Sequence, residues 1–155
     1  LDCAPHIRVQ AGDFDLAAEV NRLSAGRKDV GAVVTFTGRC RDEDGRLAAL
    51  ELEHYPGMAE AEIARIAREA ADRWSLSGLT VIHRYGRIEP GENIVLVVTA
   101  SSHRKAALEA ADFLMDYLKS RAPFWKKEHP ATAAEPGRWV EAKAEDEDAL
   151  ARWKK

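Results

Sequence analysis

Hydrophobic positions along this chain switch repeatedly between helical and strand-like periods. Leu16, Val20 and Leu23 recur at helical spacing, so Asp15–Leu23 is predicted as a first helix after a short polar lead. Gly31-Ala-Val-Val-Thr-Phe-Thr-Gly38 is a β-branched run bounded by glycines and predicts a strand. Arg41–Arg46 is polar and reads as a loop. Leu50-Glu-Leu-Glu-His54 alternates, predicting a strand whose wet face carries Glu51 and Glu53. After a Pro56-Gly57 turn, Ala59–Trp74 is amphipathic, with Ile63, Ile66, Ala67, Ala70 and Trp74 on one stripe. Leu79–His83 and Ile94–Thr99 are two further strands around a Glu89-Pro-Gly-Glu92 turn. Ser101 or Ser102 is placed to cap a helix that reaches about Arg121. That helix should stop there, because Pro123 lacks an N–H and disfavours helical geometry at Ala122. Trp139–Ala142 reads as a last short strand and Glu145–Lys155 as a last helix. With no internal repeat, the pattern predicts one α+β domain over 1–155, a mainly antiparallel sheet packed by helices. Residues 1–14 and 145–155 are its candidate loose ends.

Composition narrows the function classes. A chain of 155 residues fits a single domain, which at this size buries roughly 68–70% of its unfolded surface. The balance of 23 Lys and Arg against 26 Asp and Glu gives a net charge of −3, so no global field draws in nucleic acid. Cys3 and Cys40 make neither a metal spacing nor a disulfide framework, which points to a reducing, cytoplasmic setting. No apolar run approaches the ~20 residues that span a bilayer, and no leader pattern opens the chain. Its first residue is Leu1 rather than Met, which leaves the native N-terminus open. His54, His83 and His129 lack paired-ligand spacing. No Gly-rich phosphate loop or Gly-x-Ser-x-Gly elbow occurs.

The candidate chemistry lies in two clusters. Asp116–Glu128 places Lys119, Arg121, Lys126 and Lys127 around Ala-Pro-Phe-Trp. A solvated helix end accounts for Lys119 taken alone, since the helix dipole stabilises a cation there. The adjoining aromatics shift the reading toward a partly desolvated lysine, able to act as general acid or base or as an anion clamp. In Ser101-Ser-His-Arg-Lys105, His103 and Arg104 oppose the dipole of the helix they begin, an arrangement that an anion would reverse. A packed His103 and a solvated Arg104 are the equal alternative. His103 and Lys119 are 16 residues apart on one predicted helix, roughly 24 Å along its axis. If both serve one site, a symmetric dimer with shared pockets is required. Arg39 and Arg41 leave a strand where loops carry function, with ordinary surface arginines as the alternative. Cys40 between them is read as structural rather than nucleophilic.

Together, several ordered segments resemble a known family. They are Gly31-Ala-Val-Val-Thr-Phe-Thr-Gly-Arg-Cys-Arg41, Leu52-Glu-His-Tyr-Pro-Gly-Met58, Val81-Ile-His-Arg-Tyr-Gly86, Ser102-His-Arg104, Met115–Glu128 and Arg138-Trp-Val-Glu-Ala142. From about Gly31 to Lys143 the chain is similar to the large, catalytic subunit of molybdopterin synthase. The resemblance implies an α/β hammerhead-type fold and a homodimer core, with a small ubiquitin-like sulfur-carrier subunit at each end, a heterotetramer in all. That partner would bring sulfur as a thiocarboxylate on its C-terminal Gly-Gly tail, and the substrate would be cyclic pyranopterin monophosphate, converted to the dithiolene of molybdopterin. No cofactor or metal, nucleic acid or membrane is implied. By position, Lys119 and Lys126 match the family's catalytic lysines. Arg39-Cys40-Arg41, His103-Arg104, Lys119 and Lys126-Lys127-Glu128 match its substrate-binding stretches. Phe36 and Met115 are candidate pocket walls, with a core role as the equal alternative. The chain departs from the pattern in a shorter Asp42–Ala49 loop, in Cys40 where a small aliphatic is common, and in Lys143 where Arg is frequent. The competing readings are a non-catalytic dimeric scaffold for a ubiquitin-like protein and, on the same basic cluster, a nucleic-acid binder.

Overall fold

A computed structural model describes residues 3–132, 136–140 and 144–154. Lys143 and the end of the predicted Trp139–Ala142 strand lie outside the described residues. The elements in chain order are β1 His6–Gln10, α1 Leu16–Ser24, β2 Ala32–Arg39, β3 Leu47–His54, α2 Met58–Arg73 and β4 Gly78–Arg84. They continue with β5 Gly86–Ile88, β6 Asn93–Ser101, α3 Arg104–Ser120, β7 Phe124–Pro130, β8 Arg138–Val140 and α4 Ala144–Ala151. The fold is α+β, as the sequence predicts, but its strands form two four-stranded sheets rather than one. The first has the order β1-β4-β6-β2 and the second β5-β3-β7-β8. Only the β1–β4 pairing among these is parallel.

The first sheet is the core. β4 is buried along its whole length, so its two faces both need apolar cover. One face carries Leu79, Val81, Val95 and Val97 and packs on Ile63, Ile66 and Ala70 of α2 and Phe113 and Leu114 of α3. The other carries Ile82, Leu96 and Val98, covered by Val20 and Leu23 of α1. Side chains two residues apart on a strand share a face, which is why alternate positions of one apolar run feed two layers. Gly31 fits where β2 enters this sheet because a Cβ there would stand 2.0 Å from the Ser102 carbonyl oxygen.

Three expectations are corrected. β1, read as part of a polar lead, is a strand: Ile7 and Val9 alternate with polar neighbours, and the partner β4 is some 70 positions away. The described parts of both ends are therefore packed and not loose. At the C-terminus, Leu150 is fully buried and Trp153 wedges between Trp74 and Phe113 at 5.7 and 5.5 Å. Neither Ser101 nor Ser102 caps α3. Ser101 ends β6, its hydroxyl bonds the His103 carbonyl, and His103 itself stands at the helix start. β7 and β5 also escape the sequence pattern. Phe-Trp-Lys-Lys-Glu-His-Pro reads as a charged loop until its pairing with β3 is known.

Candidate active site

Pro123 does what its chemistry demands. α3 ends at Ser120, Arg121 closes it with an N–H donated to the Tyr117 carbonyl at 2.7 Å, and the chain turns into β7. This brings the end of α3 and the start of β7 together over the exposed edge of the first sheet. Between them lies a cavity of about 350 Å³. Lys119 comes from α3, Lys126 from β7 and Arg39 from the end of β2, where the ladder shifts register after Gly38. Phe36, Ile94, Val95, Met115, Leu118 and Phe124 supply apolar walls. Both Phe36 and Met115 thus stand at the pocket wall. Gly38 keeps the space open: a Cβ there would meet Val95 Cγ1 at 2.7 Å.

The lining is electrostatically one-sided. Among the described residues its charged groups are Arg39, Lys119 and Lys126, and none that lines it is a carboxylate. Lys119 is exposed at the rim and Lys126 half-buried. Arg39 donates to the Gly91 carbonyl, which fixes its guanidinium beside the Glu89–Glu92 turn. Three cations over apolar walls attract anions more strongly than the same cations in water, because the low local dielectric strengthens each interaction.

Sequence reasoning overlooked His83 here. It stands one residue before the end of β4 on the cavity side, nearly fully buried and stacked on Phe124 with ring centroids 3.8 Å apart and planes 13° off parallel. Its Nδ1 lies 2.8 Å from the Arg84 carbonyl oxygen, which only accepts, so Nδ1 carries the proton. Burial is the main reason its pKa falls from 6.5 to about 4, and the charges of Lys126 and His54 push the same way. The imidazole is therefore neutral at physiological pH. A polar residue closing the otherwise apolar Leu79–Ile82 run was the available signal, but only the fold places it opposite Phe124.

The other predicted positions fall elsewhere. Cys40 is buried with Leu47, Leu52 and Ile88, and burial raises its thiol pKa, so its side chain takes no part in the cavity. Arg41 is exposed in the loop that follows. Lys127 points to the opposite face of β7, its ammonium 5.5 Å from the Trp139 ring centroid. Glu128 lies beyond the cavity, 3.7 Å from Arg138. His103 and Arg104 are exposed at the far end of α3, where no side chain caps the helix and no acid occupies its first turn. The larger recess near that end, about 490 Å³, contains Arg27 and Asp29, which neutralise each other at 2.6 Å. Within one chain, then, the structure brings together Arg39, Lys119 and Lys126 and keeps His103 and Arg104 apart from them.

Known proteins share this chain's sequence and fold. The profile of the MoaE protein family matches residues 9–121. A molybdopterin synthase catalytic subunit from Mesorhizobium japonicum is 70% identical over 97% of this chain and 94% of its own. The molybdopterin biosynthesis MoaE protein from Burkholderia ambifaria superposes with a TM-score of 0.82 at 48% identity, over 96% of this chain and 97% of the other. Molybdopterin synthase from Staphylococcus aureus does so with a TM-score of 0.77 at 28% identity, over 86% and 95%. With the family profile covering most of its length and full-length relatives this similar, the chain belongs to the MoaE protein family.

Proposed function

We propose that this chain is the catalytic subunit of a molybdopterin synthase, a cytoplasmic sulfurtransferase of molybdenum cofactor biosynthesis. It moves sulfur from the C-terminal thiocarboxylate of a small ubiquitin-like carrier to cyclic pyranopterin monophosphate. The observation that carries this reading is the cavity with three cations, apolar walls and, among the described residues, no lining carboxylate. Both reactants are anions, one a thiocarboxylate and the other a phosphate ester. For sulfur to stay on the pterin, a new C–S bond must form at a side-chain carbon as a C–O bond of that carbon breaks, its oxygen leaving protonated or with the phosphate. Water then cleaves the acyl–S bond and the tail departs as a carboxylate. The ammonium groups of Lys119 and Lys126 hold the two anions together and stabilise the charge that develops on the acyl oxygen. The protein's own thiols are not required, which fits the buried Cys40.

The active form is a homodimer. Among the described residues β2 is hydrogen-bonded on one side, to β6, and Val33, Phe36 and Leu108 are exposed on β2 and α3. His103 and Arg104 of one copy complete the cavity of the other as its phosphate clamp, with Arg41 nearby. The relatives' name, a catalytic subunit, presupposes at least one further subunit, which supports the carrier as partner. Mixing the protein with a thiocarboxylated Gly-Gly-ended carrier and the cyclic pterin should yield dithiolene product. No product, with the same carrier active beside another large subunit, overturns the reading. Lys119→Ala should lower turnover by roughly 10²–10³-fold while fold and carrier docking persist.

A further inference from the structure

We propose that His83 is a positioning residue for Lys126, an uncharged acceptor in the cavity wall that orients the lysine ammonium toward the reacting anion. The proposal rests on the reading that Lys126 acts in this cavity. The geometry begins on β7, where Phe124 and Lys126 are two residues apart and therefore project from the same face. Phe124 lies flat on the His83 ring, so the imidazole is fixed one pleat from the lysine stem, and both side chains line the same cavity. The tautomer is fixed as well. With the Nδ1 proton given to the Arg84 carbonyl, the remaining polar atom of the ring, Nε2, offers a lone pair.

What surrounds that lone pair gives it its use. Among the described residues the charged side chains lining the cavity are all cations, and Thr37 supplies a hydroxyl oxygen there. A carboxylate in place of His83 would pair with Lys126 and cancel the charge that draws in the substrate. A protonated histidine would repel it. A neutral imidazole accepts from an ammonium without cancelling its charge, and burial together with the nearby lysine keeps the ring neutral. His54, 5.7 Å from Phe124 between ring centroids and 3.7 Å from Glu60, and Tyr85, 4.5 Å from His54, are further titratable rings near this wall. His83 is thus a second layer behind the lysine, and its loss should slow the chemical step rather than weaken substrate binding.

Two substitutions separate the acceptor from the ring. His83→Phe keeps the stacking and removes the lone pair. His83→Gln restores an acceptor near the position of Nε2. In the reconstituted reaction His83→Phe should lower kcat by roughly 10- to 100-fold with KM for the pterin within about 2-fold, and His83→Gln should recover most of that loss. A second readout needs no turnover. Acetylation of individual lysines by an amine-selective ester, followed by peptide mass spectrometry, should change at Lys126 by roughly 3-fold or more in His83→Phe and not in His83→Gln. Lys127, on the opposite face of the same strand, is the internal control and should not change. Should His83→Phe fail to fold, His83→Met, which fills the space without a comparable acceptor, takes its place in both measurements. Equal impairment of the acceptor and non-acceptor variants, a raised KM at unchanged kcat, or an unaltered Lys126 overturns the proposal. Because the labelling is independent of product, failure of sulfur transfer in the wild type would count against the proposed function and not against His83.

Discussion

The two ends of α3 are built on opposite plans. At the N-terminal end, His103 and Arg104 stand exposed against the helix dipole, with no side-chain cap and no acid in the first turn. At the C-terminal end nearly every group is held. Ser120 donates to the Asp146 carbonyl at 2.9 Å, Arg121 pairs with Glu147 at 2.5 Å, and Trp153 donates to Asp116 at 2.5 Å. Arg152 adds contacts to Asp112 and Asp116 at 2.8 and 2.9 Å. One end is exposed and uncapped, the end to which the proposed function assigns an anion and a second copy. The other is a site finished within the chain, with its lysine set on a clamped helix end. A guanidinium such as that of Arg104 costs stability where it opposes a helix dipole, a cost that the anion of the proposed function would offset.

The strongest way to break this contrast is to disable one end in each of two copies. Lys119→Ala and Arg104→Ala should each lose most activity as pure dimers. Co-expressed with different affinity tags and purified through both, the mixed dimer carries one pocket with both defects and one with neither. It should recover about half of the wild-type rate per dimer, if the two ends of different copies meet. A mixed dimer as inactive as its parents would mean that each end serves its own chain. It would remove the shared pocket, leaving Arg104 without the role proposed for it.

The clamp at the C-terminal end is the next target. Trp153 contacts Trp74 and Phe113 edge-on, lies under the guanidinium of Arg73 at 5.6 Å and satisfies Asp116. Trp153→Ala removes that packing and one of the donors to Asp116, leaving Arg152 to hold the carboxylate. Stability should fall by about 3 kcal/mol, lowering the thermal midpoint by roughly 6–12 °C for a chain of this size. Hydrogen exchange should rise first at the end of α3 around Lys119, while amides near Arg104 keep their protection. Uniform loss along α3 would show that the two ends are not held independently.

The sequence made some of this contrast visible and hid the rest. Helical spacing located α2 and α3 to within a residue or two, because amphipathic periodicity and Pro123 are local signals. The 16-residue separation of His103 from Lys119 was legible for the same reason, and the continuous helix agrees with it. β1 and β7 were not legible, since each becomes a strand through a partner far along the chain. The division of Lys126 from Lys127 onto opposite faces of β7 follows from that pairing, so adjacent lysines looked equivalent until the fold separated them. His83 was missed on the same grounds. A histidine ending an apolar strand resembles any buried histidine until Phe124 is placed upon it.

Acid should distinguish the two ends by a smaller margin. The His83 ring titrates near 6.5 in the unfolded chain and at about 4 in the folded one, because burial disfavours its charged form. Between those values the unfolded chain binds more protons, so stability rises with pH across this window and falls as pH is lowered through it. The contribution is fully present above 6.5. By pH 5 about 2 kcal/mol of it should be gone, the cost of keeping the ring neutral when the unfolded state has charged it. Asp13 and Glu51, whose carboxyls are held low by hydrogen bonds from Asn93 and His129, also lose stabilisation in acid. Those losses occur equally in His83→Gln, which has no ring to titrate. The difference between wild-type and His83→Gln urea midpoints should therefore shift against the wild type as pH drops from 7.5 to 5. At the N-terminal end no such buried ring faces the exposed His103 and Arg104, so Arg104→Ala should parallel the wild type throughout. Parallel curves for wild type and His83→Gln would mean that the imidazole is not held neutral at the cavity wall, and the lysine beside it would then have no uncharged acceptor.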